Sequence, residues 1–298
     1  MSLPAFARDG RRIVDDRVGG GGESRPRPEP RPIVEIEVDP DRSAIELRAP
    51  ADKDGLPLVR QTLRALGQSV GADLEAVHDM ELSLTEACAN VVRHAYPSGG
   101  GTIDVAIEAT PAKLLATVRD RGMGMPRDRE PPSSVGGGLG LKVIDAVASD
   151  VTIKSGEGIG TEISIAVDRI QAAPAAGAPA GRPLTERVAR RTVAIVAAQS
   201  EMPPSRITEA LLVTELVIRH VGAYQIGPRL KLRIQRGPTC VELYVGPLVP
   251  GGAAAVVETT ELPALGSVVT RLADAVWKVP PETGRPMDGE ELAIGFST

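Results

Sequence analysis

The 298-residue sequence predicts an α/β protein, a two-layer sandwich of helices against a largely antiparallel sheet, present twice along the chain. Three observations carry that expectation. From Ala76 to Tyr96, Val77, Met80, Leu84, Cys88, Val91 and Ala95 recur at helical spacing, with Asp79, Ser83, Glu86, Asn90 and Arg93 on the opposite stripe. Next, Ile103, Val105 and Ile107 alternate with Asp104, Ala106 and Glu108, the pattern of a half-buried strand. Features of the same kind then recur in the same order after residue 183.

The elements follow in order. Residues 1–32 include GGGGESRPRPEPRP, too poor in apolar side chains to offset the entropy of ordering, and read as a disordered leader. Ile33 to Val38 and Ala44 to Leu47 read as short strands, and Leu58 to Leu66 as a helix. After the long helix and the alternating strand, Ala-Thr-Pro-Ala-Lys turns the chain into Leu114 to Val118, a strand ending at Asp120. Beyond the glycines at 136–140, Leu141 to Ala148 is expected to be a helix and Val151 to Lys154 a strand. Ile163, Ile165 and Val167 form the inward side of a closing strand. The Ala/Pro/Gly run at 171–183 has the composition of a semi-flexible linker. The expected boundaries are therefore 1–32 leader, 33–168 first domain, 169–183 linker and 184–298 second domain.

Composition excludes several classes. With 42% hydrophobic and 24% charged residues and a net charge of -5, the chain has no broad basic surface for nucleic acid or an anionic membrane. Cys88 and Cys240 are far apart, and His78, His94 and His220 share no metal-ligand spacing, so neither a disulfide framework nor a Cys/His metal site is expected. No apolar run is long enough to span a bilayer, and a cytoplasmic protein is expected.

Four short motifs carry chemistry. Glu86 and Asn90, four apart on a helix, project side by side, so one can accept a proton while the other ligates Mg²⁺ through its oxygen. Taken alone, that pair far more often describes a solvated polar face. Asp120-Arg121-Gly122-Met123-Gly124 stands where a strand runs into a loop. A carboxylate there can accept from the exocyclic amine of adenine, and glycines let backbone come close. Alone, it is also an ordinary turn. Gly136-Gly137-Gly138-Leu139-Gly140-Leu141 precedes a helix and offers free backbone N–H groups to phosphate, with Lys142 adding charge; the same glycines also suit a flexible linker. Gly158-Ile159-Gly160-Thr161 comes before the closing strand and by itself is only a hairpin turn.

In this order, Thr85-Glu86-Ala87-Cys88-Ala89-Asn90-Val91-Val92-Arg93-His94-Ala95-Tyr96, the D-x-G-x-G at 120–124 and Gly137-Gly138-Leu139-Gly140-Leu141 resemble the bacterial anti-sigma-factor serine kinases of the GHKL ATPase superfamily, over about 33–167. The resemblance implies a Bergerat-type ATP-binding fold with ATP and Mg²⁺ as cofactors. It implies Glu86 as general base, Asn90 as the Mg²⁺ ligand and Asp120 as the adenine-binding residue. Gly122 and Gly124 would line the base pocket, Gly138, Leu139, Gly140 and Leu141 would form the phosphate lid, and Thr161 would support the adenine end. The segment 126–135 would be a short Pro-rich lid. Its partners would be a sigma factor and an anti-anti-sigma protein, the latter phosphorylated on serine or threonine.

In the second half, Thr214-Glu215 lies 129 residues after Thr85-Glu86, and Asp274-Ala275-Val276 the same distance after Asp145-Ala146-Val147. On that alignment Arg219 replaces Asn90, and Ser267 and Val269 replace Gly138 and Gly140; Leu230, Leu232 and Ile234 follow the alternation of Ile103, Val105 and Ile107 at an offset of 127, which puts Pro247 in place of Asp120. A degenerate ATPase-like domain is expected, within either a homodimer or an intramolecular pseudo-dimer. Two other readings keep the ATP pocket: a nucleotide-gated sequestering protein without turnover, and the ATPase domain of a histidine kinase. The second lacks a long dimerisation helix with an acceptor histidine ahead of the domain.

Overall fold

The computed structural model describes residues 34–124, 139–156, 158–169, 182–262, 266–281 and 289–298. The expected leader, the lid at 126–135, Gly138 and nearly all of the expected linker lie outside the described residues.

The chain begins with a hairpin of β1 (Val34–Asp39) and β2 (Ala44–Pro50), each burying alternate residues: Val34, Ile36 and Val38, then Ile45, Leu47 and Ala49. Helices α1 (Gly55–Ser69) and α2 (Leu74–Asn90) follow, and the Asp73 carboxylate caps α2 by accepting the Ala76 N–H at 2.8 Å. The long helix expected from 76 to 96 therefore starts two residues earlier, and its last turn, Val91–Ala95, is π-helical. Then come β3 (Thr102–Ala109), β4 (Lys113–Arg119), α3 (Leu139–Val147), β5 (Asp150–Gly156) and β6 (Gly160–Asp168).

The second half repeats this order with α4 (Arg182–Gln199), α5 (Pro204–Val221), β7 (Leu230–Arg236) and β8 (Cys240–Leu248). After them stand a short α6 (Gly252–Glu258), a two-stranded ribbon of β9 (Glu261–Leu262) and β10 (Gly266–Ser267), α7 (Val268–Leu272), β11 (Ala275–Val279) and β12 (Glu290–Ser297). Helix α4 starts at Arg182, inside the stretch expected to be linker.

All strands except the ribbon form one ten-stranded antiparallel sheet, in the order β11-β12-β8-β7-β1-β2-β3-β4-β6-β5. The order is symmetric about the β1–β2 hairpin. So is the register. Outward from the facing pair Ile36 and Leu47, one side runs Leu232, Val245 and Leu292, and the other Val105, Val118 and Ile163. A local two-fold axis thus passes between Ile36 and Leu47, and β1 lies against β7 as β2 lies against β3. The inward side chains of both halves and the helices above them form one continuous core. Helices α1 and α4 also pack together, and the Arg191 guanidinium donates to the Gln61 carbonyl oxygen and side-chain oxygen at 3.4 and 3.3 Å.

The two halves align differently from the sequence match. Ser69 and Gln199 end α1 and α4, and Leu74 and Pro204 begin α2 and α5, both pairs 130 residues apart. Buried Met80, Ser83, Leu84, Ala87, Cys88 and Val91 then correspond to buried Ala210, Val213, Thr214, Val217, Ile218 and Val221. One residue is about 100° of helix rotation, so the shift from 129 to 130 matters. Thr214 faces the core and donates to the Ala210 carbonyl at 2.7 Å, whereas Thr85 is only partly buried. The other sequence match also fails in space, because Asp145-Ala146-Val147 lie in helix α3 while Ala275 and Val276 lie in strand β11.

Candidate functional site

The π-turn at Val91–Ala95 separates two parts of the candidate site. On the α2 side stand Glu86 and Asn90, one helical turn apart and both partly buried. The Glu86 carboxylate faces the first turn of α3 so closely that a Cβ at Gly140 would lie 2.5 Å from Oε2. The structure therefore brings the carboxylate and a glycine of the lid motif into contact, though 54 residues separate them in sequence. A helix N-terminus concentrates unpaired N–H groups and partial positive charge. The Arg93 guanidinium lies 3.8 Å from Glu86 Oε2, which is 26% exposed. Leu141 packs against the core from the same turn.

On the other side is the D-x-G-x-G loop. Asp120 is 4% exposed at the end of β4, and its Oδ1 accepts the Gly122 N–H at 2.8 Å. A Cβ on Gly122 would overlap the Ala95 carbonyl, and one on Gly124, where φ is +72°, would overlap the Gly156 carbonyl. Glycine is required at both positions by close backbone approach, and at 124 also by conformation. Gly160, with φ +94°, fits against the Asp120 carbonyl in the same way. Thr161 is next to it. Its carbonyl accepts the Asp120 N–H at 2.9 Å, and its hydroxyl lies 3.0 Å from Ser155 Oγ. Thr161 thus supports the loop through its backbone.

Cys88 faces away from this site into the core, where burial pushes its thiol up to about 12. Gly138, expected in the lid, is outside the described residues, and of Leu139 the backbone alone is described, at the start of α3. Two features escaped the sequence reading. One is the π-turn, whose residues Val-Val-Arg-His-Ala continue a helical pattern without interruption. The other is Tyr96, whose hydroxyl accepts the Arg121 N–H at 2.9 Å and donates to the Thr102 carbonyl at 3.0 Å.

The matching positions of the second half lack these groups. Leu216 and His220, not Glu215 and Arg219, stand in place of Glu86 and Asn90, and the His220 ring bonds back to the Leu216 carbonyl. Glu215 is paired instead with Arg219 at 2.6 Å and Arg190 at 3.1 Å. Pro247 brings no carboxylate to the place of Asp120, and Val269, which the sequence match pairs with Gly140, is fully buried. The buried Glu290 accepts the Ala253 N–H of α6 at 2.8 Å, so α6 is fixed against β12.

Among the described residues there is no group of three or more His, Cys, Asp or Glu able to hold a metal ion, and no helix long and apolar enough to cross a membrane. A divalent cation at Asn90 would need most of its oxygens from elsewhere.

Residues 49–167 match the family described as histidine kinase-like ATPase domain, in agreement with the GHKL resemblance of the motifs. That likeness implies ATP binding at the level of the family. Two curated relatives are a serine-protein kinase RsbW from Bacillus cereus (strain AH820), 27% identical over 127 residues, and one from Bacillus thuringiensis (strain Al Hakam), 28% identical over 127 residues. Each match covers 39% of this chain and 79% of the relative. Among solved structures, the histidine kinase domain of the blue-light activated histidine kinase from Erythrobacter litoralis EL346 is 24% identical. It covers 31% of this chain and 44% of that one, with a TM-score of 0.27. At the level of the family, the first half is related to proteins named serine-protein kinases.

Proposed function

We propose that the first half binds ATP with Mg²⁺ and transfers the γ-phosphoryl group to a serine or threonine of a partner protein, as part of an anti-sigma switch. The observation that carries this reading is the apposition of the Glu86 carboxylate and Gly140 at the start of α3. A helix N-terminus suits phosphate, and a carboxylate beside it is within reach of a hydroxyl brought up to that phosphate. Phosphoryl transfer asks a protein chiefly for positioning and charge neutralisation, so little further machinery is required.

Asn90 fits a cation that takes its remaining oxygens from water and phosphate, the usual state of protein-bound Mg²⁺. When bound, the ion would neutralise charge on the phosphates. Asp120 would accept from the adenine amine, Gly122 and Gly124 would give the base backbone-close walls, and Gly138 to Leu141 would contact the phosphates. The relatives named serine-protein kinase support serine as acceptor, and the partners that the motif resemblance implies are a sigma factor and an anti-anti-sigma protein in the cytoplasm.

The second half is proposed to be a degenerate sandwich that covers the β1 edge and completes the sheet, in place of a second subunit. The experiment is transfer of label from ATP to purified candidate anti-anti-sigma proteins by wild type and Glu86→Ala. Equal labelling by both removes the base assignment.

A further inference from the structure

Four consecutive backbone amides hold the loop that carries Asp120, and each has a named acceptor. The Asp120 N–H goes to the Thr161 carbonyl at 2.9 Å, Arg121 to the Tyr96 hydroxyl at 2.9 Å, Gly122 to Asp120 Oδ1 at 2.8 Å and Met123 to the Ala95 carbonyl at 3.1 Å. Two of the four acceptors, Ala95 and Tyr96, are adjacent residues at the end of the π-turn. Tyr96 provides the one side-chain acceptor from outside the loop.

The Tyr96 ring is itself fixed. Its hydroxyl donates to the Thr102 carbonyl at the start of β3, and the ring lies so close to Gly101 that a Cβ there would overlap it. A π-turn adds one residue to the helical repeat and turns the groups after it to a new direction, and such turns concentrate at functional sites. Here it aims the Ala95 carbonyl and the Tyr96 hydroxyl at one loop. A carboxylate reads a base by hydrogen bonding only if it is held to a fraction of an ångström by groups that are themselves locked.

We infer that Tyr96 is a specificity-determining positioning residue: through the Arg121 amide it holds Asp120 in the orientation that selects adenine over guanine. The inference rests on the ATP-binding reading and deepens it. Guanine presents a carbonyl oxygen where adenine presents an amine, so a fixed carboxylate acceptor favours one and repels the other. A loosened loop discriminates less.

The test compares Mg-ATP and Mg-GTP binding to the full chain by titration calorimetry, for wild type and Tyr96→Phe, with amide hydrogen exchange at Arg121. Phenylalanine keeps the ring and removes both hydroxyl hydrogen bonds. The expected result is a preference for ATP reduced by about 3- to 10-fold, the range of one ordinary hydrogen bond, with faster exchange at Arg121 and little change at Gly122. An unaltered ATP/GTP ratio with wild-type exchange at Arg121 overturns the inference. A wild-type chain that binds ATP and GTP equally overturns instead the adenine reading of Asp120, and this inference with it. If Tyr96→Phe proves unstable, Gly101→Ala, which displaces the ring and leaves the hydroxyl chemistry intact, is expected to lower the same ratio, and an unchanged ratio there counts against Tyr96.

Discussion

Ile36 of β1 faces Leu47 of β2 across a local two-fold axis, and Leu232 and Val105 flank the pair at matching positions. The fold around that axis is nearly symmetric, but the groups of the candidate site lie on one side. Leu216 and His220 stand where Glu86 and Asn90 stand in the first half. The chain is expected to bind a single equivalent of Mg-ATP, read as calorimetric stoichiometry on the full chain. Two equivalents of similar affinity would show that the second half retains a site.

The hairpin at the axis also joins the halves by charge. Arg229 reaches Glu37 at 3.2 Å, Glu46 at 3.3 Å and Asp39 at 3.4 Å. Asp39 is buried, but Arg229, Glu37 and Glu46 are solvent-accessible, so Arg229→Ala is expected to lower stability by about 1 kcal/mol. Ile36→Ala, which empties a fully buried position, is expected to cost about 2–5 kcal/mol. Denaturant unfolding of both variants checks the ranking, and a larger loss from Arg229→Ala would contradict it.

Gly122→Ala places a methyl group against the Ala95 carbonyl, which is backbone and cannot rotate away. The expected cost is about 1–3 kcal/mol, together with weaker ATP binding, because the Met123 N–H that holds the loop donates to the same carbonyl. Thermal unfolding with and without Mg-ATP checks this. A variant with unchanged melting and unchanged ligand-induced stabilisation would contradict it.

Burial raises the Cys88 thiol from 9.0 to about 12, so the folded chain favours the neutral thiol. Its contribution to stability is full below the unfolded value of 9.0 and falls as pH rises from there towards 12. Between those values the wild type is expected to lose up to about 1.4 kcal/mol per pH unit more than Cys88→Ser. Unfolding curves at several alkaline pH values check the slope. In thiol labelling of the native chain, half-buried Cys240 is expected to react first.

Much of the first half was legible in local pattern. The alternation of Ile103, Val105 and Ile107 gave β3, and the spacing of Glu86 and Asn90 put both on one stripe of α2, because those signals lie within a few residues of chain. The glycines at 122 and 124 also betrayed themselves, since close backbone approach demands that residue. The π-turn did not, because Val91–Ala95 has no residue that marks the extra one in the repeat. Nor did the pairing of β1 with β7, in which Val34 meets a strand residue, Ile234, 200 positions away. Such register depends on the whole sheet. The Thr-Glu repeat misled for a related reason: identity of two letters fixed the helix one residue out, whereas burial of Val213, Thr214 and Val217 fixes its rotation.

The most direct test of the account is phosphoamino-acid analysis. The full chain and Glu86→Gln are each incubated with Mg-[γ-³²P]ATP and the native cell extract, and labelled proteins are resolved. General base catalysis contributes about 10²- to 10⁴-fold. The account predicts acid-stable phosphoserine or phosphothreonine on a partner with wild type, lower by that order with Glu86→Gln, while both variants bind ATP. Acid-labile phosphohistidine, or equal labelling by the two proteins, would contradict it.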